Sequence, residues 1–143
     1  MQHKNIIITG ATDGIGLAAA KSIASKGYHV GLVGRNPDKG KKAIDEIFLH
    51  SGNNNLDFFE CDLSLVTNVK DLADRIKQKY SKIDVLLNNA GGANKTKQIT
   101  SEGLEKTFAT NQMNYFVLSS ELIDIISESN DGRIVNVASN AHI

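Results

Sequence analysis

Three glycines near the start of the chain, Gly10, Gly14 and Gly16, have the spacing of a phosphate-binding turn. They stand in Thr9-Gly-Ala-Thr-Asp-Gly-Ile-Gly16, between a β-branched run, Asn5-Ile-Ile-Ile-Thr9, and a helix-like stretch, Leu17–Ala24. A strand that turns straight into a helix leaves the first helical N–H groups without intrahelical partners. Those donors, together with the helix dipole, favour an anion. Gly10 permits the tight turn off the strand, Gly14 lets backbone N–H groups approach a pyrophosphate, and Gly16 lets the helix pack close. Thr12, Asp13 and Ile15 lie within the same turn and are read with it as dinucleotide-binding positions. The order Gly-x-x-x-Gly-x-Gly differs from the general Gly-x-Gly-x-x-Gly fingerprint.

A second chemical position follows the next apolar run, Tyr28–Val33, at Gly34-Arg35-Asn36. An NAD site puts an acid here to accept hydrogen bonds from the ribose hydroxyls. This chain has none at that place, and Arg35 offers a guanidinium that pairs with a 2′-phosphate and stacks on adenine. The expected cofactor is therefore NADP in preference to NAD, with Lys39 or Lys41 adding positive field. The plain alternative is an ordinary exposed loop arginine.

These positions need a frame, and the apolar periodicity supplies one. Strands are expected at Asn5–Thr9, Tyr28–Val33, Leu56–Cys61, Ile83–Leu87 and Gly132–Val137. Helices alternate with them. One runs from Pro37, with Asn36 as its N-cap, to about His50, its apolar stripe being Ala43, Ile44, Ile47 and Phe48. Another covers Val66 to Tyr80, with Val69, Leu72, Ala73 and Ile76 on one face. A long helical region, Leu104 to Ile126, is interrupted near Thr110-Asn111, and residues 93–100 read as a polar loop. Strands alternating with helices make an α/β fold: a Rossmann-type, doubly wound parallel sheet of order 3-2-1-4-5, breaking off after the fifth strand. The switch-point rule puts the cofactor at the carboxyl ends of strands one and four.

Composition narrows the class. Sixteen basic and sixteen acidic side chains are interspersed over 143 residues, so no charged surface for nucleic acid or membrane is indicated. The single cysteine, Cys61, excludes an intrachain disulfide and reads as a core residue at a strand end. The four histidines lack metal-ligand spacing, so no metal site is expected. Phe58, Phe59, Phe108 and Phe116 read as core, and Asp71 and Asp74 as a solvated helix face. No apolar stretch approaches a signal segment or a membrane span, which makes a soluble, cytoplasmic protein the expectation.

Taken in order, Thr9-Gly-x-x-x-Gly-Ile-Gly16, Asp62-Leu63, Asn88-Asn-Ala-Gly91, Asn111 and Ile134-Val-Asn-Val-Ala-Ser139 resemble the short-chain dehydrogenase/reductases over essentially the whole chain. The phrases Gly34–Gly40, Thr107-Phe-Ala-Thr-Asn111 and residues 133–142 look most like the retinol-dehydrogenase-like branch. The resemblance implies roles. Asp62 accepts a hydrogen bond from the adenine amino group and Leu63 lies against the ring. Asn89, Ala90 and Gly91 pass close to the adenine ribose. Asn111 kinks the long helix and holds a relay water, and Ser139 hydrogen-bonds the substrate oxygen. From the residues alone, Asp62 is equally an Asx turn, Asn89–Gly91 a strand-end turn and Ser139 a turn or cap residue.

In that family a tyrosine in Tyr-x-x-x-Lys moves the proton while hydride moves at the nicotinamide. Tyr28, Tyr80 and Tyr115 are followed four residues on by Leu32, Asp84 and Ser119, so the motif is absent from these residues. The expectation is the cofactor-binding part of an NADP-dependent oxidoreductase that interconverts a small alcohol and a carbonyl, inactive by itself. A non-catalytic dinucleotide-binding module is the alternative. Strand five is expected as an exposed edge, and a second copy of the chain stays open as a partner.

Overall fold

The computed structural model describes residues 3–92 and 96–139. Part of the expected loop at 93–100, and the end of the 133–142 phrase, lie outside these residues. Five strands, β1 (Asn5–Thr9), β2 (His29–Gly34), β3 (Leu56–Glu60), β4 (Val85–Asn88) and β5 (Arg133–Asn136), form one sheet. Its order is β3-β2-β1-β4-β5 and every pairing is parallel, as expected from the alternation. The helices are α1 (Gly14–Ala24), α2 (Pro37–Ser51), α3 (Val66–Lys79), α4 (Lys106–Phe108) and α5 (Asn114–Ser127), with a π-helical turn at Ala109–Met113.

Because successive side chains on a strand point to opposite faces, β1 feeds two cores. Ile6 and Ile8 pack with Ala20, Ala24, Ala43 and Ile47 beneath α1 and α2. Ile7 packs on the other face with Leu72, Ile76, Leu118 and Leu122, beneath α3 and α5. Both helix layers are thus anchored on the strand whose end carries the glycine turn.

Local signals account for most boundaries. Asn36 accepts from the Asp38 and Lys39 amides and Pro37 occupies the first turn, so α2 begins where the sequence indicates. It ends on Gly52 in a left-handed conformation, which closes the last turn without a Cβ penalty. Ala43 and Ile47 are buried as expected, whereas Phe48 faces solvent. Gly40 lets α2 lie on the Phe58 ring, since a Cβ there would stand 2.6 Å from the ring carbons. The interruption expected near Asn111 is the π-helical turn, a form that often marks functional positions.

At the amino ends of the strands, away from the glycine turn, the Asp57 carboxylate gathers three donors. Lys79 Nζ lies at 2.7 Å, His29 Nε2 at 2.6 Å, and the Tyr80 hydroxyl also donates to it. Burial works to raise the Asp57 carboxyl, but Lys79, Tyr80 and His29 outweigh it and hold the group below its ordinary range. A depressed carboxyl contributes stability that is complete above its unfolded value near 4 and is lost as pH falls through the lower folded value. Asp57→Asn is therefore expected to cost about 2 kcal/mol at pH 7. Thermal melts of both forms should converge as the pH drops below about 4. An equal gap at pH 7 and pH 3 would count against the cluster's charge.

Candidate functional site

The carboxyl ends of β1 and β4 are laced together at the point where the chain departs to opposite faces. Buried Thr9 accepts through Oγ1 from the amides of Asn89 and Ala90, each at 3.0 Å. Asn89 turns its side chain inward, donating from Nδ2 to the Gly10 carbonyl at 3.2 Å. Gly10 has a φ of +66°, and its amide donates to the Val33 carbonyl. The turn is so close to β4 that a Cβ on Gly10 would stand 2.8 Å from Ala90 Cα.

From this seam a cleft of about 410 Å³ opens over the ends of β2 and β3. Gly10, Thr12 and Asp13 form one side, Arg35 and Lys39 another, Asp62 and Leu63 the floor edge, and Ala90 and Gly91 the β4 side. These nine positions, all singled out in the sequence, thus share one cavity. Gly14, Ile15, Gly16 and Asn89 do not line it. Gly16 packs directly behind it, where a Cβ would meet the Gly10 oxygen at 2.1 Å, and Asn89 fastens the seam from within. Ile15 projects into solvent at 72 % exposure. α1 begins at Gly14, three residues before the stretch legible as helix and directly after Asp13 on the cleft wall.

The cleft is charged on both sides. Lys39 Nζ and Asp13 Oδ2 are 3.8 Å apart at the rim, and Arg35 is exposed. Asp62 Oδ1 accepts from the Ser64 amide at 3.0 Å and the Ser64 hydroxyl at 2.7 Å, the Asx turn that the residues alone allowed. Burial pushes the Asp62 carboxyl up, but Ser64, Lys106 and Arg35 outweigh it, and the group is an anion at neutral pH. Cys61 beside it is buried, and its thiol is pushed up to about 12 by desolvation, so no thiolate nucleophile is available.

Asn111 sits in the π-helical turn and clasps the loop after β4. Its Oδ1 accepts from the Gly92 amide at 2.9 Å and its Nδ2 donates to the Gly92 carbonyl at 2.8 Å. Tyr115, one turn on, donates to the Ala90 carbonyl at 2.7 Å. Ser139 follows β5 and is exposed. Sequence reasoning missed Lys106, Thr110 and Ser64 as lining residues, and Thr9 and Tyr115 as fasteners. The four-residue spacing of Lys106 and Thr110 within the helical region next to Asn111 was the signal available for the first two.

A family model described as short chain dehydrogenase matches residues 4–142. The chain belongs to the short-chain dehydrogenase family. Among similar proteins, human polyprenol dehydrogenase is 35 % identical over 140 residues, covering 95 % of this chain and 42 % of the relative. Human retinol dehydrogenase 13 is 31 % identical over 140 residues, covering 98 % and 42 %, in line with the branch resemblance. A short-chain dehydrogenase from Sphingobium yanoikuyae, solved in complex with NADPH, has a TM-score of 0.81 at 27 % identity. That match covers 96 % of this chain and 54 % of the other. The chain therefore spans less than half the length of these two curated relatives. No described helix of this short-chain dehydrogenase is long and apolar enough to cross a membrane.

Proposed function

We propose that the chain is the cofactor-binding part of an NADP-dependent oxidoreductase interconverting an alcohol and a carbonyl on a small molecule. The observation that carries this is the cleft itself, in which an arginine, with no acid, stands at the end of β2 beside the glycine turn. The residues fit a dinucleotide. Gly10 leaves no room for a side chain on its inner side, Thr12 lies over Gly34, and α1 begins directly after Asp13 on the cleft wall. In this reading the glycine turn holds the pyrophosphate. Arg35, with Lys39 beside it, holds the 2′-phosphate, Asp62 and Leu63 hold the adenine, and Ala90 and Gly91 admit the ribose.

When bound, the nicotinamide supplies or accepts a hydride. Ser139 would then orient the substrate oxygen. Asn111 keeps the loop after β4 in place and, by the family resemblance, holds a water for proton transfer. A module that binds without turnover is the second reading, since the cleft-lining residues account for holding a dinucleotide without themselves moving a proton or hydride.

Titration of the chain with NADPH and NADH tests the proposal. NADPH is expected to bind more tightly, and Arg35→Ala to weaken NADPH by about 10- to 100-fold while leaving NADH unchanged. Equal binding of both dinucleotides, or an Arg35→Ala variant with undiminished NADPH affinity, would remove the 2′-phosphate role. Steady NADPH oxidation with a carbonyl substrate would exclude the module reading.

A further inference from the structure

Beyond the glycine turn and Arg35, the cleft holds a cation to which no motif assigns a task. Lys106 opens α4 and lines the cavity together with Thr110, one helical turn on. Its position is fixed from several sides. The Glu105 carboxylate caps α4 by accepting from the Thr107 amide at 2.8 Å and the Phe108 amide at 3.0 Å. The Lys106 amide donates to the Gln98 carbonyl at 2.8 Å.

The loop before α4 is pinned to α3 in turn. Leu65 at the N-cap of α3 has no side-chain acceptor to offer, and Glu102 supplies one, 35 residues beyond Thr67. The Glu102 carboxylate accepts from the Thr67 amide and hydroxyl, each at 3.0 Å, and from the Val66 amide. Since α3 begins just after Asp62–Ser64, this clasp ties Lys106 and Asp62 to one corner of the cleft.

Lys106 is half-buried, yet among the described residues its ammonium makes no ion pair within 4 Å. The charge of Asp62, on the same cavity wall, acts on it from a greater distance. An ammonium that lines the cleft with no ion-pair partner within 4 Å among the described residues is a donor that a ligand in the cleft can use.

We propose that Lys106 is a base-binding residue, donating to a ring nitrogen of the adenine whose amino group goes to Asp62. The chemistry is complementary. A carboxylate only accepts and an ammonium only donates, whereas adenine presents its amino donor beside ring-nitrogen acceptors. A 6-oxo purine would turn an acceptor toward Asp62. This assignment rests on the dinucleotide reading above and adds a contact shared by NAD and NADP.

Lys106→Met keeps the apolar stem and removes the charge. NADPH and NADH dissociation constants, measured on the full chain at one salt concentration, are expected to rise together by about 10-fold. Lys106→Arg should recover part of the loss, and the melting temperature of both variants should stay near that of the unsubstituted chain. Undiminished binding of both dinucleotides by Lys106→Met would overturn the proposal. A loss confined to NADPH would also overturn it, making Lys106 a phosphate contact like Arg35. If the unsubstituted chain binds neither dinucleotide, the cofactor reading itself fails, and the base contact with it.

Discussion

Gly16→Ala is expected to destabilise the chain by about 3 kcal/mol or more and to abolish dinucleotide binding. The added Cβ would stand 2.1 Å from the Gly10 oxygen, 2.9 Å from the Gly10 carbonyl carbon and 2.6 Å from Asn89 Nδ2. Two of those three atoms are backbone, so no rotamer change relieves the contact. Nor can the turn retreat. Gly10 is already within a Cβ's reach of Ala90 Cα, and its amide is bonded to the Val33 carbonyl at 3.0 Å. The helix start must move away from the sheet, and the donors at its first turn move with it.

Gly14→Ala is the control. Gly14 has a φ of +56°, but a Cβ there would meet nothing within 4 Å, leaving only the left-handed backbone penalty of about 1 kcal/mol. Urea unfolding of both variants, paired with NADPH titration, separates a steric requirement from a conformational one. Equal destabilisation by the two substitutions would dispose of the steric argument.

That contrast also marks how far the sequence could be read. The spacing of Gly10, Gly14 and Gly16 pointed to a tight turn and close packing, and both appear, because glycine's permissiveness is a local property. The βα alternation and the right-handed crossover rule gave the strand order for the same kind of reason: few topologies satisfy both. What escaped was either long-range or decided by which side of an element faces water. Glu102 reaches α3 across 35 residues and Thr9 reaches Ala90 across 81, and neither contact leaves a periodicity to detect.

Aromatic residues misled in a second way. Phe108 and Phe116 read as core because large apolar side chains usually are. Yet α5 buries its Val117, Leu118, Leu122 and Ile126 stripe, and Phe116 sits off it at 70 % exposure, with Phe108 at 41 %. Asp62 shows the opposite case. Its local reading, an Asx turn, is present in the structure, and the same geometry lines the cleft, so the bland and functional readings are compatible.

Thr9→Val should have an effect of similar size by a different route. The two side chains are nearly isosteric, and valine suits a strand, so packing and propensity are preserved. What disappears is the one acceptor for the Asn89 and Ala90 amides, in a place where Thr9 is fully buried. A buried N–H left without a partner costs about 1–3 kcal/mol, and two of them give an expected loss of about 3 kcal/mol.

Freed of Thr9, the strand end that carries Ala90 and Gly91 into the cleft is no longer held to β1, and Asn89 loses its approach to Gly10. NADPH binding should then weaken by at least about 10-fold in the fraction that stays folded. Thr9→Ser keeps the hydroxyl and is expected to remain within about 1 kcal/mol of the unsubstituted chain. If Thr9→Val proves as stable as Thr9→Ser, the seam is not what joins β1 to β4. The position in the sheet makes the coupling specific. Asp57→Asn, at the amino ends of the strands, should lower stability and leave the affinity of folded molecules for NADPH unchanged. Thr9→Val, at the carboxyl ends, should lower both.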